Sequence, residues 1–287
     1  VLIPLGFLIV LFSVFGGFAL AGGSLGPLFQ PLEFLIIGGA GLGAFIAANN
    51  GKAIKATMKS LKKFKASSKY DNDTYLELLA VIYKLLNKMR RDGMLAVERD
   101  IEAPAESAIF NEHPQVLNDE LMLNFIVDYL RLMISGNMNP QELDELMLHE
   151  IETFEAEAEI PADALTKVGD AMPAFGIVAA VLGVVRALSS ASADPSAMGV
   201  MIAHALVGTF LGILMGYGFI NPVASRIERQ IAVMAKTMQC IRVTLLASMH
   251  GYAPQLAVEF GRKALHTAER PTFNELEDFV RGAKAEA

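Results

Sequence analysis

The chain has 287 residues, 53% of them hydrophobic, with one cysteine, no tryptophan and a formal net charge of −7. That apolar share exceeds the roughly 45–50% usual in soluble domains, the lone cysteine excludes an internal disulfide and a cysteine-based zinc site, and the mild acidic balance gives nucleic acid no basic surface to bind. No phosphate-binding glycine loop, dinucleotide fingerprint or zinc-protease helix occurs and the histidines lack ligand spacing, so no enzyme, metal site or cofactor is expected.

Residues 2–21 form the first apolar run. Ala19-Leu20-Ala21 imitates a signal-cleavage site, but no positive charge precedes the run and it is longer than a usual signal core. A retained membrane helix is therefore expected. Residues 32–48 form a second run, with Glu33 expected to be solvated at its outer start. Region 1–48 is thus read as membrane helices one and two. The connection 22–31 has no Lys or Arg, whereas Lys52, Lys55, Lys59, Lys62, Lys63, Lys65 and Lys69 follow the second run. The positive-inside rule places those lysines in the cytoplasm.

Region 49–169 is polar and reads as a helical cytoplasmic insertion. Leu76, Leu79, Ile82, Tyr83, Leu86 and Met89 fall at helical spacing, with Gly93 as a stop. Leu121, Phe125, Val127, Leu130 and Ile134 repeat the pattern before Gly136. Pro140 opens an acidic helix through Glu142, Asp144, Glu145, Glu150, Glu152, Glu155 and Glu157. Arg90 and Glu98 lie in a charge-rich segment that reads, from the residues alone, as a solvated face. A pair between Glu98 and Arg99 there is worth about 0–1 kcal/mol.

Region 170–221 holds membrane helices three and four. PAFGIVAAVLGVV (173–185) and IAHALVGTFLGILMGYGF (202–219) are apolar and carry no carboxylate. If the protein moves an ion, a partner is expected to supply the charged site. Gly208, Gly212 and Gly216 recur every fourth residue, as Gly176 and Ala180 do on helix three, and small residues at that spacing let membrane helices pack closely. Thr209 beside this ridge is expected to bond back to the carbonyl one turn earlier. Pro173 and Pro222 read as markers of the cytoplasmic ends of these helices, or as a pair of hinges. Asp170 reads as an acid suited to a helix start. Tyr217 and Phe219 serve as interfacial anchors in the absence of tryptophan, and His204 as a polar anchor. The loop 189–200 has only Asp194 as a formal charge and faces outward, while Arg226, Arg229 and Lys236 put the following region inside. Region 222–287 reads as a cytoplasmic helical extension and tail, with Thr272 and Glu275 forming a capping box and Cys240 an inert core thiol. The fold class expected is an all-α integral membrane protein with four transmembrane helices, a large helical cytoplasmic insertion and a cytoplasmic C-terminal helical tail.

The two apolar segments, with VGTFLGILMGYGFINP (207–222), RRDGMLAVERDIE (90–102), MLNFIVDYLRLMISGNM (122–138) and QCIRVTLLASMHGYAPQLAVEFGRKAL (239–265), resemble the MotA family of flagellar motor stator subunits, within the wider MotA/TolQ/ExbB group. The likeness runs in order along nearly the whole chain, through GGSLG near residue 22 and NNGKAIK near residue 49. It implies a subunit of the bacterial inner membrane at the flagellar base, five copies surrounding two copies of a MotB-like partner with one membrane helix and a peptidoglycan-binding domain. The partner's membrane aspartate would bind the proton, and the coupling ion would be the only cofactor-like species. Pro173, Ala180, Thr209, Tyr217 and Pro222 match ion-path or partner-contact positions, and Arg90 and Glu98 match residues that engage the rotor protein FliG. Sodium-driven relatives carry a second threonine where this chain has Ala180, so protons are the expected ion. A TolQ/ExbB-type energiser of a periplasmic force transducer is the alternative.

Overall fold

A computed structural model describes residues 2–63, 70–189 and 195–285, and no strand occurs among them. In chain order the principal helices are α1 (Leu2–Leu20), α2 (Pro31–Ala48), α3 (Gly51–Lys63), α4 (Asn72–Asp92), α5 (Glu120–Ser135), α6 (Pro140–Ser189), α7 (Pro195–Met215), α8 (Asn221–Met249), α9 (Pro254–Ala264) and α10 (Phe273–Ala285). Short helical turns fill the stretch between α4 and α5. A π-turn at Gly216–Ile220 joins α7 to α8 without a break.

Among the described residues, four helical stretches are long and apolar enough to cross a membrane: Leu2–Leu20, Gly26–Ala48 and parts of Pro140–Ser189 and Met198–Met249. Lys65, Lys69 and Asp194, which enter the topology reading, lie outside the described residues.

Two compact units are present: residues 1–66 with 159–229, and residues 67–158 with 230–287. Both α6 and α8 contribute to each unit. The sequence boundaries at 48/49, 169/170 and 221/222 follow polarity, whereas the chain stays helical across 169/170 and 221/222. The acidic half of α6 is built from good helix formers (Glu, Leu, Ala) and meets no cap before the apolar half begins.

This continuity corrects three expectations. Pro173 is not in a first turn but deep inside the 50-residue α6. Asp170 therefore has no helix N-terminus to complement. Pro222 is not a terminus either, because α7, the π-turn and α8 are continuous.

The first unit has a small core of Ile37, Met172, Ala179, Val207 and Leu211. Helix α1 joins through ring contacts, Phe7 with Phe219 at 5.0 Å and Phe15 edge-on to Phe210 at 6.0 Å. Large apolar side chains on α6 stay exposed, among them Ile177, Val178, Val181, Leu182 and Val185. So wide an uncovered face on one helix marks a surface that meets lipid or other chains.

The second unit has an extensive core. Tyr75, Leu78, Leu79, Ile82, Leu85 and Leu86 on α4 are buried with Phe125 and Tyr129 on α5, Met147 and Ile151 on α6 and Ile241 and Leu245 on α8. Three tyrosine hydroxyls there have partners: that of Tyr129 donates to Glu150 at 2.6 Å, that of Tyr70 to Asp119 at 3.0 Å, and those of Tyr75 and Thr237 lie 3.3 Å apart. Arg242 closes an ion pair with Asp144 at 2.5 Å. The expected stops are in place: Gly93 ends α4 at φ 96° and Gly136 ends α5 at φ 67°, both in the left-handed region that glycine enters without penalty. Thr272 and Glu275 form the capping box, the Thr272 N–H donating to Glu275 at 2.6 Å and the Glu275 N–H to the Thr272 hydroxyl at 3.2 Å. Cys240 is fully buried, and burial pushes its thiol up to about 12, so it is inert at neutral pH.

Candidate functional site

The glycine ridge brings α6 and α7 together. A Cβ placed on Gly176 would lie 2.7 Å from the Gly208 carbonyl oxygen, 3.1 Å from the Thr209 Cα and 3.2 Å from the Gly212 Cα. One on Gly212 would lie 2.9 Å from the Gly176 Cα. The contact is backbone on backbone and admits no side chain at these points. Gly216 continues it against the Gly169 carbonyl, and Gly183 against Ala205, whose Cβ lies 2.6 Å from the Gly183 Cβ position. Ala179, rather than Ala180, is the alanine whose methyl meets Gly208, at 3.1 Å from the Cβ position there. Ala180 is itself buried.

Thr209 departs from expectation. Thr57, Thr237 and Thr244 each donate a hydroxyl hydrogen bond to the carbonyl one turn earlier, at 2.9, 2.9 and 2.7 Å. Thr209 makes no such bond to any described residue, so its half-buried hydroxyl is available. Pro173 is half-buried and Pro222 exposed, and Tyr217, in the π-turn, is 58% exposed.

Glu33 is not simply solvated. Its Oε2 is buried without a hydrogen-bond partner among the described residues, and it would lie 2.9 Å from a Cβ on Gly208. This chain thus carries a carboxylate against helix four after all, supplied by α2 and not by α6 or α7. Segment composition hides it, because the acid belongs to one helix and the space it occupies to another.

At the N-terminal end of the apolar stretch of α6, the Asn221 side-chain amide donates to Asp170 Oδ1 at 2.8 Å. A Cβ on Gly169 would collide with the Asn221 side-chain oxygen. Sequence reading missed this pair. The signal available was that each of the two prolines has a polar residue within one turn before it.

In the second unit the charged residues around Arg90 and Glu98 are mutually paired. Lys84 pairs with Glu112, Lys88 with Asp100 at 2.7 Å, Arg91 with Asp92 at 2.9 Å and Arg131 with Glu102 at 2.8 Å. Arg99 reaches Glu106 at 4.0 Å and not Glu98. Arg90 and Glu98 are exposed and make no ion pair or hydrogen bond to a described residue. Arg90 rims a groove of about 450 Å³ whose lining includes Met89, Met94, Met133, Met249 and Tyr252. Two unpaired charges among paired neighbours are free to meet another molecule.

Two family models cover most of the chain: "Motility protein A N-terminal" over residues 4–93 and "MotA/TolQ/ExbB proton channel family" over residues 117–240. Motility protein A of Salmonella typhimurium is 57% identical over 283 residues, spanning 99% of this chain and 96% of the relative. The chain belongs to the motility protein A family. The Escherichia coli member is likewise 57% identical, over 99% of this chain and 96% of its own length. The chemotaxis protein LafT of Vibrio parahaemolyticus is 36% identical, over 96% and 97%. Motility protein A relatives are not enzymes, in keeping with the sequence reading. The fold is also that of a chain in the C. jejuni MotAB structure, with TM-score 0.75 and 22% identity over 92% of this chain and 95% of that one. A chain of the Bacillus subtilis flagellar MotAB stator complex gives TM-score 0.73 and 24% identity over 89% and 92%. Family and fold together make this a multi-pass membrane protein of the motility apparatus.

Proposed function

We propose that this chain is the ring-forming subunit of a flagellar stator that, with a MotB-like single-span partner, couples proton flow across the inner membrane to torque on the rotor. The observation that carries the reading is the close α6–α7 pair, with a free hydroxyl at Thr209 beside it, no carboxylate in either apolar segment, and a broad apolar face left uncovered on α6. Such a surface suits a partner helix that brings its own acid. The solved complexes that share this fold are named MotAB, which supports a second, MotB-like subunit.

In this mechanism a proton from the outer side neutralises the partner's aspartate. Neutralisation weakens its hold near Thr209 and lowers the cost of moving past the apolar wall that includes Ala180. The ring, of five copies around two partner copies, then steps. The proton leaves past Tyr217, Pro173 and Pro222. Arg90 and Glu98 on the insertion, cytoplasmic with the C-terminus, push on FliG. One charge crossing 100 mV supplies about 2.3 kcal/mol. That magnitude biases a step but does not disrupt a packed helix pair, so the α6–α7 unit moves as a body. Ala180 offers no oxygen ligand to sodium, which favours the proton.

Affinity purification of the full chain from native membranes tests the reading. A stoichiometric single-span partner with a membrane aspartate and a peptidoglycan-binding domain is expected. A partner with an ExbD-like periplasmic domain, or none, would overturn it.

A further inference from the structure

The polar atoms between Gly169 and Pro222 form a group that close packing does not require. Asp170 lies in the interior of α6, where aspartate is a poor helix former and the helix dipole gives it no support. It is exposed to solvent, yet one of its oxygens is held by the Asn221 amide at 2.8 Å. The oxygen of that same amide is buried and receives no hydrogen bond from a described residue. Pro173 has no N–H to give to the Gly169 carbonyl one turn earlier, and that carbonyl faces Gly216 on the neighbouring helix. Pro222 likewise has no N–H to give, and directly before it the helix changes to π geometry, the Asn221 N–H reaching the Gly216 carbonyl. Such turns within helices recur at functional positions.

Three acceptors therefore converge at the inner end of the apolar stretch: the Asp170 carboxylate, the Asn221 side-chain oxygen and the Gly169 carbonyl. Two of them have lost or lack a donor. A cluster of acceptors short of donors, one anionic and open to water, suits a hydrated proton. A structural role for Asp170 alone would not explain why Asn221 turns its oxygen inward and leaves it unsatisfied.

We infer that Asp170 is the acceptor that passes protons from the inner mouth of the path to the cytoplasm, and that Asn221 is a positioning residue holding it there. The inference rests on the stator reading above. In the proton balance, the O–H bond to the partner's aspartate breaks, the proton passes through water to an Asp170 carboxylate oxygen, and from there to bulk water. No other species is consumed.

The test uses the full chain with its own partner in cells lacking a stator, reading single-motor rotation near zero load and near stall. Near zero load speed follows proton transfer, whereas near stall torque follows the free energy per proton. Asp170→Asn is expected to lower zero-load speed several-fold with stall torque nearly kept. Asp170→Glu is expected to restore it, and Asn221→Leu to act in the same regime. Unchanged zero-load speed in Asp170→Asn overturns the inference. So does a parallel fall in stall torque and membrane abundance that Asp170→Glu does not rescue, since that marks a packing role. A wild-type chain that turns no rotor removes the stator reading and this inference with it. Failure of the variants alone to show the split removes only the inference.

Discussion

Replacing Gly176 with alanine probes the α6–α7 contact at its tightest point. The added methyl would sit 2.7 Å from the Gly208 carbonyl oxygen, with the Thr209 and Gly212 Cα atoms at 3.1 and 3.2 Å. All three obstacles are backbone, so no side chain can swing away. Restoring an ordinary 3.4 Å contact requires the helices to part by about 0.7 Å at that level. Overpacking of this kind costs about 1–3 kcal/mol. At about 2–4 °C per kcal/mol for a chain of this size, the thermal midpoint of the detergent-solubilised protein falls by roughly 2–12 °C. The same displacement moves Thr209, so motility falls further than stability alone requires. Gly39→Ala on α2 is the control, since a methyl there meets nothing within 4 Å of its own chain. It removes a helix-interior glycine that costs about 0.8–1.0 kcal/mol, so its midpoint holds or rises. A Gly176→Ala protein as stable as wild type would refute the backbone-contact reasoning.

Arg90→Ala and Glu98→Ala should each leave the thermal midpoint unchanged, within about 0.5 kcal/mol as for exposed sites without partners, while the double charge reversal slows rotation far more than either single change; a midpoint drop in the single variants would show that these charges serve the fold. His113 is buried with both ring nitrogens unpartnered among the described residues, and burial, helped by nearby Lys84, lowers it from its ordinary 6.5 to about 4. The unfolded chain therefore binds the extra proton between those values. Stability is full above pH 6.5 and declines as pH falls toward 4, by on the order of 2–3 kcal/mol. The urea midpoint of wild type should fall relative to that of His113→Phe as pH drops across that range, and curves that stay parallel would count against it. Cys240 should resist thiol reagents in the native protein at neutral pH and react only on unfolding, as mass spectrometry can follow.

The elements that sequence reveals here are those specified locally. Gly93, Gly136 and the Thr272–Glu275 pair act within a turn of themselves, and each stops or starts a helix where its chemistry says. The four apolar runs are equally local. What escapes is specified between elements. The acidic and apolar halves of α6 differ in polarity and share one helix, because nothing in the chain between Pro140 and Ser189 ends it. Glu33 reads as a surface acid until α2 is laid against Gly208. Asp170 reads as a helix-start acid until Asn221 is found beside it. The glycine spacing told that α7 had a close neighbour, and only the register showed that it was α6, meeting Gly208 through Ala179 and not Ala180. Thr209 gained interest by contrast with three other threonines, all of which make the bond it forgoes.

Proton-coupled torque is best examined by rotation under controlled gradients. Cells lacking a stator would receive this chain with its own partner, and single-motor speed would be followed while the proton gradient and membrane potential are collapsed with an inward sodium gradient held at fixed pH. Speed is expected to fall with the proton-motive force and to reach zero while sodium still flows inward. Sustained rotation on the sodium gradient alone would contradict it.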